Sequence, residues 1–234
     1  MKEILSLRGF IALFLLVVIG VGIFSAVGKI PFGQPDSEVG SAYLEDGRQE
    51  TGAANTVTSV VVGYRALDTL GEVAVLFIAA TGLSTILATS KKRIDRKLED
   101  ASLVLKTGCR VFFPMILLFG AYLFIHGHIT PGGGFQGGAV IGSAFLLTYL
   151  GCSGRRVSRT ASRSLESLSG FGFVFLGLIG LMVGESYFLS NFLTKGELYS
   201  LLSAGIFPLI YILIGLKVGA EFAGVIDSMI EESR

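Results

Sequence analysis

Long stretches without a charged residue constrain what this chain can fold into more than any other feature. A helix needs about 20 mostly apolar residues to cross a hydrocarbon core about 30 Å thick. Five runs are long enough, and a shorter sixth gains length if Lys106 and Arg110 extend their aliphatic stems toward the headgroups. In chain order the runs are 9–28, 73–90, 111–125, 129–154, 167–184 and 198–216. The sequence therefore predicts an all-α, polytopic membrane protein with about six transmembrane helices.

Composition agrees with lipid as the main solvent. Only 16% of the residues are charged and the mean hydropathy is +0.70, whereas about a quarter of the residues of a soluble domain are charged. The net charge of +1 gives no signal for nucleic acid. We therefore expect lipid and other membrane proteins, and no nucleic acid, as partners.

The distribution of Lys and Arg predicts the orientation, because cytoplasmic loops carry an excess of these residues. With the N-terminus inside, 15 of the 19 Lys and Arg residues lie on the inner side, which leaves Lys29, Arg48, Arg65 and Lys195 outside. We expect both termini to face the cytoplasm and the protein to lie in the cell membrane.

Two blocks divide the chain at the polar linker 91–102. Residues 1–100 form a predicted two-helix block with a long outer loop, and residues 101–234 form a predicted four-helix block. The two cysteines, Cys109 and Cys152, lie at predicted inner helix ends, where a reducing cytoplasm keeps them as thiols. We expect no metal site and no cofactor in this chain, because it has no Cys cluster, nucleophile motif or phosphate loop. Whether the parent complex is a redox-driven enzyme stays open.

Charged side chains at membrane depth are functional candidates, because burying a charge in a bilayer is costly. Arg65, Asp68 and Glu72 share one face of a predicted helix, since they are spaced three and four residues apart. Two carboxylates and one guanidinium leave a negative site that can hold a proton or Na⁺. The alternative is an ion pair that anchors the helix at the outer interface.

A second candidate is the glycine-rich segment that follows His126 and His128. Proline and several glycines cannot continue a regular helix, and irregular backbone at membrane depth is tolerated only beside protein or water. Its freed carbonyls could coordinate ions, and the histidines could relay protons. The alternative is a tight outer turn whose glycines permit close helix packing. The residues of this broken-helix motif are Thr130, Pro131, Gly132, Gly133, Gly134, Gln136, Gly137 and Gly138.

Two further carboxylates lie near the ends of predicted helices. Glu185 is either a relay group at membrane depth or a residue at the outer surface. Lys217 and Glu221 are four residues apart at the predicted inner end of the last helix, a spacing that permits a self-neutralising pair. That pair is either a proton-handling site in the protein interior or an interfacial ion pair.

The glycine-rich motif, together with the Gly-Leu-Lys-Val-Gly segment at 215–219, closely resembles the B subunit of the Mrp-type multisubunit Na⁺/H⁺ antiporter. The likeness covers about 101–234. The first block, above all 64–72, looks like the C-terminal membrane segment of the A subunit of that system. Its counterpart is a separate small protein in membrane-bound hydrogenases and related complexes.

This resemblance implies a small subunit of a module that exchanges Na⁺ for H⁺, surrounded by other membrane subunits and unable to pump alone. The first block is usually joined to the large A subunit, but here it is joined to the B-like block. That arrangement suits an energy-converting respiratory complex, such as a membrane-bound hydrogenase or a sulfur-reducing relative, at least as well as a free-standing Mrp-type antiporter. By resemblance Asp68 and Glu72 are the first ion-path candidates, with His126, His128 and Lys217 behind them. A purely structural packing subunit is the remaining alternative.

Overall fold

The computed structural model describes residues 7–29, 38–89, 101–151, 158–184 and 187–232. All regular secondary structure in these ranges is helical, which confirms the predicted all-α, polytopic class. The chain forms two compact units, Met1–Ser41 and Ala42–Arg234.

The long helices follow the predicted apolar runs. The first unit contains α1 (Leu7–Val27), whose side chains are almost all exposed apolar groups. A set of short elements precedes the second long helix: α2 (Glu38–Glu45), α3 (Gly47–Thr51), α4 (Thr56–Thr58) and a π-helical segment (Ser59–Tyr64). The remaining helices are α5 (Ala66–Thr89), α6 (Leu103–Ile125), α7 (Gly134–Gly151), α8 (Arg159–Val183) and α9 (Phe207–Glu232).

Five of the described helices are long and apolar enough to cross a membrane, namely α1, α5, α6, α8 and α9. The sixth predicted span is the 18-residue helix α7. Its first two turns contain Gln136 and several glycines, so it is less apolar than the others. The membrane orientation of the termini stays a prediction.

Helix α9 begins later than the sequence indicated. The predicted run started at 198, but residues 200–206 form turns and the helix starts at Phe207. Gly205 has a φ of 58°, and Pro208 occupies the first turn, where its missing N–H has no helical partner to lose. This shift moves Lys217 and Glu221 from the predicted inner helix end to the middle of a 26-residue helix.

Helix α9 is the centre of the packed second unit. It contacts α5, α6, α7 and α8, and 56% of its apolar span is buried, against 22% or less for the other candidate spans. The large buried side chains of its first half are Phe207, Ile210, Ile214 and Val218. The outer faces of the surrounding helices are apolar and exposed, as expected of surfaces that meet lipid or neighbouring subunits.

The thiol prediction for Cys109 was wrong, because this residue is disulfide-bonded. It is buried on α6, next to Gly151 at the end of α7. Cys152, the other cysteine of the chain, lies outside the described residues.

Candidate functional site: a buried ion pair beside a polar cavity

Lys217 and Glu221 form an ion pair inside the second unit. The Lys217 Nζ lies 2.6 Å from the Glu221 Oε2, and the two side chains are only 6% and 2% exposed. The ammonium also lies 5.7 Å from the centre of the Phe77 ring on α5, a distance at which an aromatic face attracts a cation. The sequence predicted this pairing, and the tertiary structure adds its complete burial.

One carboxylate oxygen of this pair lacks a partner. Glu221 Oε1 is buried, and no hydrogen-bond donor reaches it among the described residues. An ionised oxygen without a donor in the protein interior is costly. Such an atom indicates a place where a proton, a water molecule or a cation can bind.

Glu221 lines a cavity of about 370 Å³. Helices α5, α8 and α9 form its walls, and Tyr149 of α7 contributes the phenol. The charged side chains around it are Arg159, Arg163, Glu166, Glu221 and Asp227. A space of this size with so many polar groups is large enough to hold several water molecules.

Two polar contacts tie α8 to α9 beside the cavity. The Arg159 Nε donates to the Asp227 Oδ2 at 2.9 Å, and Asp227 is largely buried. The Ser162 hydroxyl donates to the Ala220 carbonyl at 2.8 Å. These contacts fix the wall that carries Glu166 opposite the helix that carries Glu221.

Sequence reasoning missed three residues of this site: Arg159, Glu166 and Asp227. A signal was present on α9, because Lys217, Glu221, Gly224 and Ser228 recur at helical spacing along one face. Glu166 gave less warning, because the predicted run began one residue after it. Its place on the cavity depends on the packing of α8 against α9.

The charged stripe of α5 lies at the surface of the chain. Arg65 and Asp68 form an ion pair whose side chains are 62% and 53% exposed, and Glu72 is exposed one turn further along. Asp68 lies in the first turn of α5, where a carboxylate is favoured by the helix dipole. The geometry fits the anchoring alternative for Arg65 and Asp68, and it leaves Glu72 available to a neighbouring subunit.

The glycine-rich motif forms a turn followed by the start of a helix. Helix α6 ends at Ile125, residues 126–133 turn, and Gly134 begins α7. Gly133, with a φ of 151°, adopts backbone geometry that side chains disfavour, and a Cβ there would lie 2.6 Å from the Gln136 Oε1. Thr130, Pro131 and Gly132 complete this turn.

Carbonyl groups of this turn are bound by side chains of other elements. Asn55 Nδ2 donates to the carbonyl oxygens of Gly127 and Thr130, at 2.8 and 3.1 Å. The Thr58 hydroxyl also donates to the Gly127 carbonyl, and it accepts from the Tyr211 hydroxyl, both at 2.8 Å. These carbonyls are therefore occupied by hydrogen bonds and contribute to packing in this conformation.

The helical half of the motif permits close approach of α7 to its neighbours. A Cβ on Gly134 would lie 2.6 Å from the Ile214 Cβ, and one on Gly137 would lie 2.6 Å from the Gly120 carbonyl oxygen. Gly138 is equally close to Val218. This geometry matches the close-packing alternative for the glycines.

The two histidines have different surroundings. His126 is half-buried and stacks on Tyr122. His128 is fully buried, and neither ring nitrogen makes a well-formed hydrogen bond among the described residues. Burial lowers the pKa of His128 below its ordinary value of 6.5, while nearby backbone groups of Ser200 and Leu201 oppose this change.

The lowered pKa of His128 predicts instability in acid. The folded chain takes up this proton less readily than the unfolded chain, so the stabilising contribution is present above pH 6.5 and is lost as the pH falls below it. The melting temperature of the assembled complex should fall between about pH 7 and pH 5. His128→Gln should flatten this slope, whereas the control His126→Gln should keep it. An equal slope in all three proteins would contradict the assignment.

The last sequence candidate, Glu185, lies outside the described residues. Among the described residues, no group of three or more His, Cys, Asp or Glu side chains could hold a metal ion.

The helices and the buried polar groups define a multi-pass membrane protein with apolar outer faces. Two family models match it. Residues 104–224 match the domain related to the MnhB subunit of the Na⁺/H⁺ antiporter, and residues 7–109 match the family of the MBH complex named MbhE. The first match covers more than half of the chain, so the chain belongs to the MnhB-related family.

Curated relatives agree with this membership. An uncharacterized protein of Methanocaldococcus jannaschii is 33% identical over 190 residues, which cover 70% of this chain and 72% of that protein. The B subunit of the Na⁺/H⁺ antiporter of Alkalihalophilus pseudofirmus is 38% identical over 42% of this chain and 69% of its own length. The A/B subunit of a probable K⁺/H⁺ antiporter of Rhizobium meliloti is 30% identical over 73% of this chain, which spans only 19% of that protein.

Two solved structures share the fold. A chain of the membrane-bound sulfane sulfur reductase, an archaeal respiratory membrane complex, has a TM-score of 0.78 and 47% identity, with 96% of this chain and 98% of that chain covered. A chain of the Mrp complex from a Dietzia species has a TM-score of 0.73 and 25% identity, with 95% and 26% covered. The predicted resemblance is thereby confirmed: the chain is a multi-pass membrane subunit of an Mrp- or MBH-type antiporter-like complex.

Proposed function

We propose that this chain contributes to the cation path of an Na⁺/H⁺ exchange module within an energy-converting respiratory complex, and that it does not pump alone. The observation that carries the proposal is the buried Lys217–Glu221 pair, whose second carboxylate oxygen lies without a donor beside a polar cavity. Exposed charges on α5 and the histidines of the turn are secondary candidates for the path.

Physical cost supports a functional role for the pair. Desolvating two charges is costly, and apolar residues of similar volume often stabilise a protein as well or better. Ionisable residues inside membrane spans are rare and mark ion or proton routes. Lys217 and Glu221 lie in the middle of the most buried helix, and the cavity gives water a place beside them.

The match to the sulfane sulfur reductase chain supports a respiratory parent complex, because the two chains cover each other almost end to end. This chain covers only about a quarter of the matched Dietzia chain. A free-standing Mrp-type antiporter and a purely structural packing role are the alternatives. Co-purification separates the two kinds of parent complex: iron–sulfur or other redox subunits indicate a respiratory complex, and antiporter-like subunits alone indicate the antiporter.

The test of the path is Na⁺/H⁺ exchange by the assembled complex in membrane vesicles, normalised to the amount of complex on a native gel. Glu221→Gln should abolish exchange, because an amide keeps the shape of the side chain but cannot take up and release a proton. Glu197→Gln is the matched control, since Glu197 is an exposed carboxylate in the loop before α9, and it should leave exchange unchanged.

Retained exchange in Glu221→Gln would refute the path through this pair. Loss of the complex itself would instead support the packing role. Asp68→Ala and Glu72→Ala, measured in the same way, test whether the exposed carboxylates of α5 belong to the path.

A further inference from the structure

We infer that Glu221 exchanges protons, and not Na⁺, with water in the cavity, and that Glu166 guides these protons to it. The inference rests on the proposed function, because it specifies the ion and the access route of the same site. Three observations carry it: the position of the ammonium, the free carboxylate oxygen, and a second carboxylate on the opposite wall.

The ammonium of Lys217 excludes a metal cation at this carboxylate. It already binds one oxygen of Glu221 at 2.6 Å, so Na⁺ at the other oxygen would lie close to a positive charge in a poorly screened interior. A hard cation also needs several oxygen ligands. Among the described residues no cluster of three carboxylate or other metal-binding side chains supplies them. A proton needs one oxygen, and Glu221 Oε1 provides it.

The proton step is simple and balanced. A hydronium in the cavity transfers its proton to Oε1, so that an O–H bond forms, a water molecule is left, and the carboxylate becomes neutral. Lys217 keeps its three protons and its hydrogen bond to Oε2. The pair changes from neutral to singly positive, and the reverse step returns the proton to cavity water.

Glu166 is the residue placed to guide protons. It is half-buried on α8, lines the same cavity and interacts electrostatically with Glu221. The charged groups that face the cavity from α8 are Arg159, Arg163 and Glu166, and those from α9 are Lys217, Glu221 and Asp227. Arg159 is engaged by Asp227. The described residues of the α5 wall have only uncharged side chains, and α7 adds the phenol of Tyr149.

The same geometry predicts the side of access. The cavity lies against the N-terminal half of α8 and the C-terminal half of α9. In the orientation predicted from the Lys and Arg distribution, these ends face the cytoplasm. Protons should therefore reach Glu221 from the cytoplasmic side.

Cysteine labelling of the assembled complex tests whether the cavity is wet. Ser84 lines the cavity from α5, whereas Ser143 lies on an exposed face of α7. A membrane-impermeant thiol reagent, which needs a hydrated thiolate, should label Ser84→Cys in inside-out vesicles and leave the control Ser143→Cys at the background of the parent complex. Equal background labelling of both variants, or labelling of Ser84→Cys only from the outside, would overturn the access route.

Kinetics of Glu166 variants test the ion. Glu166→Gln should slow exchange most at alkaline pH, where protons are scarce, with an unchanged KM for Na⁺, and Glu166→Asp should restore much of the rate. A raised KM for Na⁺ with an unchanged pH profile would overturn the proton assignment. Exchange that survives in Glu221→Gln would instead overturn the proposed function, so the two failures are distinguishable.

Discussion

Replacing Lys217 by Met is expected to cost about 3–5 kcal/mol of folding stability, because it leaves the Glu221 carboxylate buried without its counter-charge. The side chains are only 6% and 2% exposed, so water cannot replace the missing ammonium without opening the helix packing. We expect little or no assembled complex at the growth temperature.

The double variant Lys217→Met with Glu221→Leu should recover most of that loss, since apolar residues of similar volume often replace a buried ion pair without penalty. This variant separates the two roles of the pair. If the pair belongs to a proton path, the complex will assemble and exchange will stay absent. If the pair only fixes helix packing, both assembly and exchange will return.

Assembly on a native gel and the melting temperature of the complex measure these effects. Arg65→Met is the matched control, because it breaks an ion pair that is more than half exposed. Exposed pairs contribute about 0–1 kcal/mol, so this change should be nearly silent in both measurements. A Lys217→Met complex as stable as the control would contradict the burial of the pair.

Replacing Gly138 by Ala is the second large effect expected. The added Cβ would lie 2.6 Å from the Val218 Cβ and 2.9 Å from the Gly215 carbonyl oxygen, so α7 must move away from α9. Overpacking of this kind costs about 1–3 kcal/mol, and backbone contact makes relief difficult. The intrinsic gain of Ala over Gly in a helix, about 1 kcal/mol, acts in the opposite direction and is smaller.

Gly224→Ala is the control for this substitution. Gly224 lies on α9, and a Cβ there would have no atom within 4 Å, so only the helix-propensity gain applies. The melting temperature of the complex should fall for Gly138→Ala and stay equal or rise for Gly224→Ala. A loss of the same size in both would show that helix propensity or an outside partner, and not the α7–α9 contact, determines the result.

The glycine-rich motif shows how far the sequence could be followed. Its composition predicted a break after His126, and the structure has that break, because proline and glycine act on the local backbone. The sequence left open whether the freed carbonyls bind ions or serve packing. Their partners, Asn55, Thr58 and Tyr211, lie far away along the chain, so only the folded contacts reveal that the carbonyls are hydrogen-bonded.

The sequence by itself determined the solvent of the chain, its helical class and the pairing of Lys217 with Glu221, because apolar run length and i, i+4 spacing are local properties. The tertiary structure alone decided how deep that pair lies and what faces it. Burial depends on the start of α9 at Phe207 and on the packing of α5 and α8 around it, and Glu166 meets the cavity only through that packing. A one-dimensional pattern records which residues share a helix face, but it does not record which other helix covers that face.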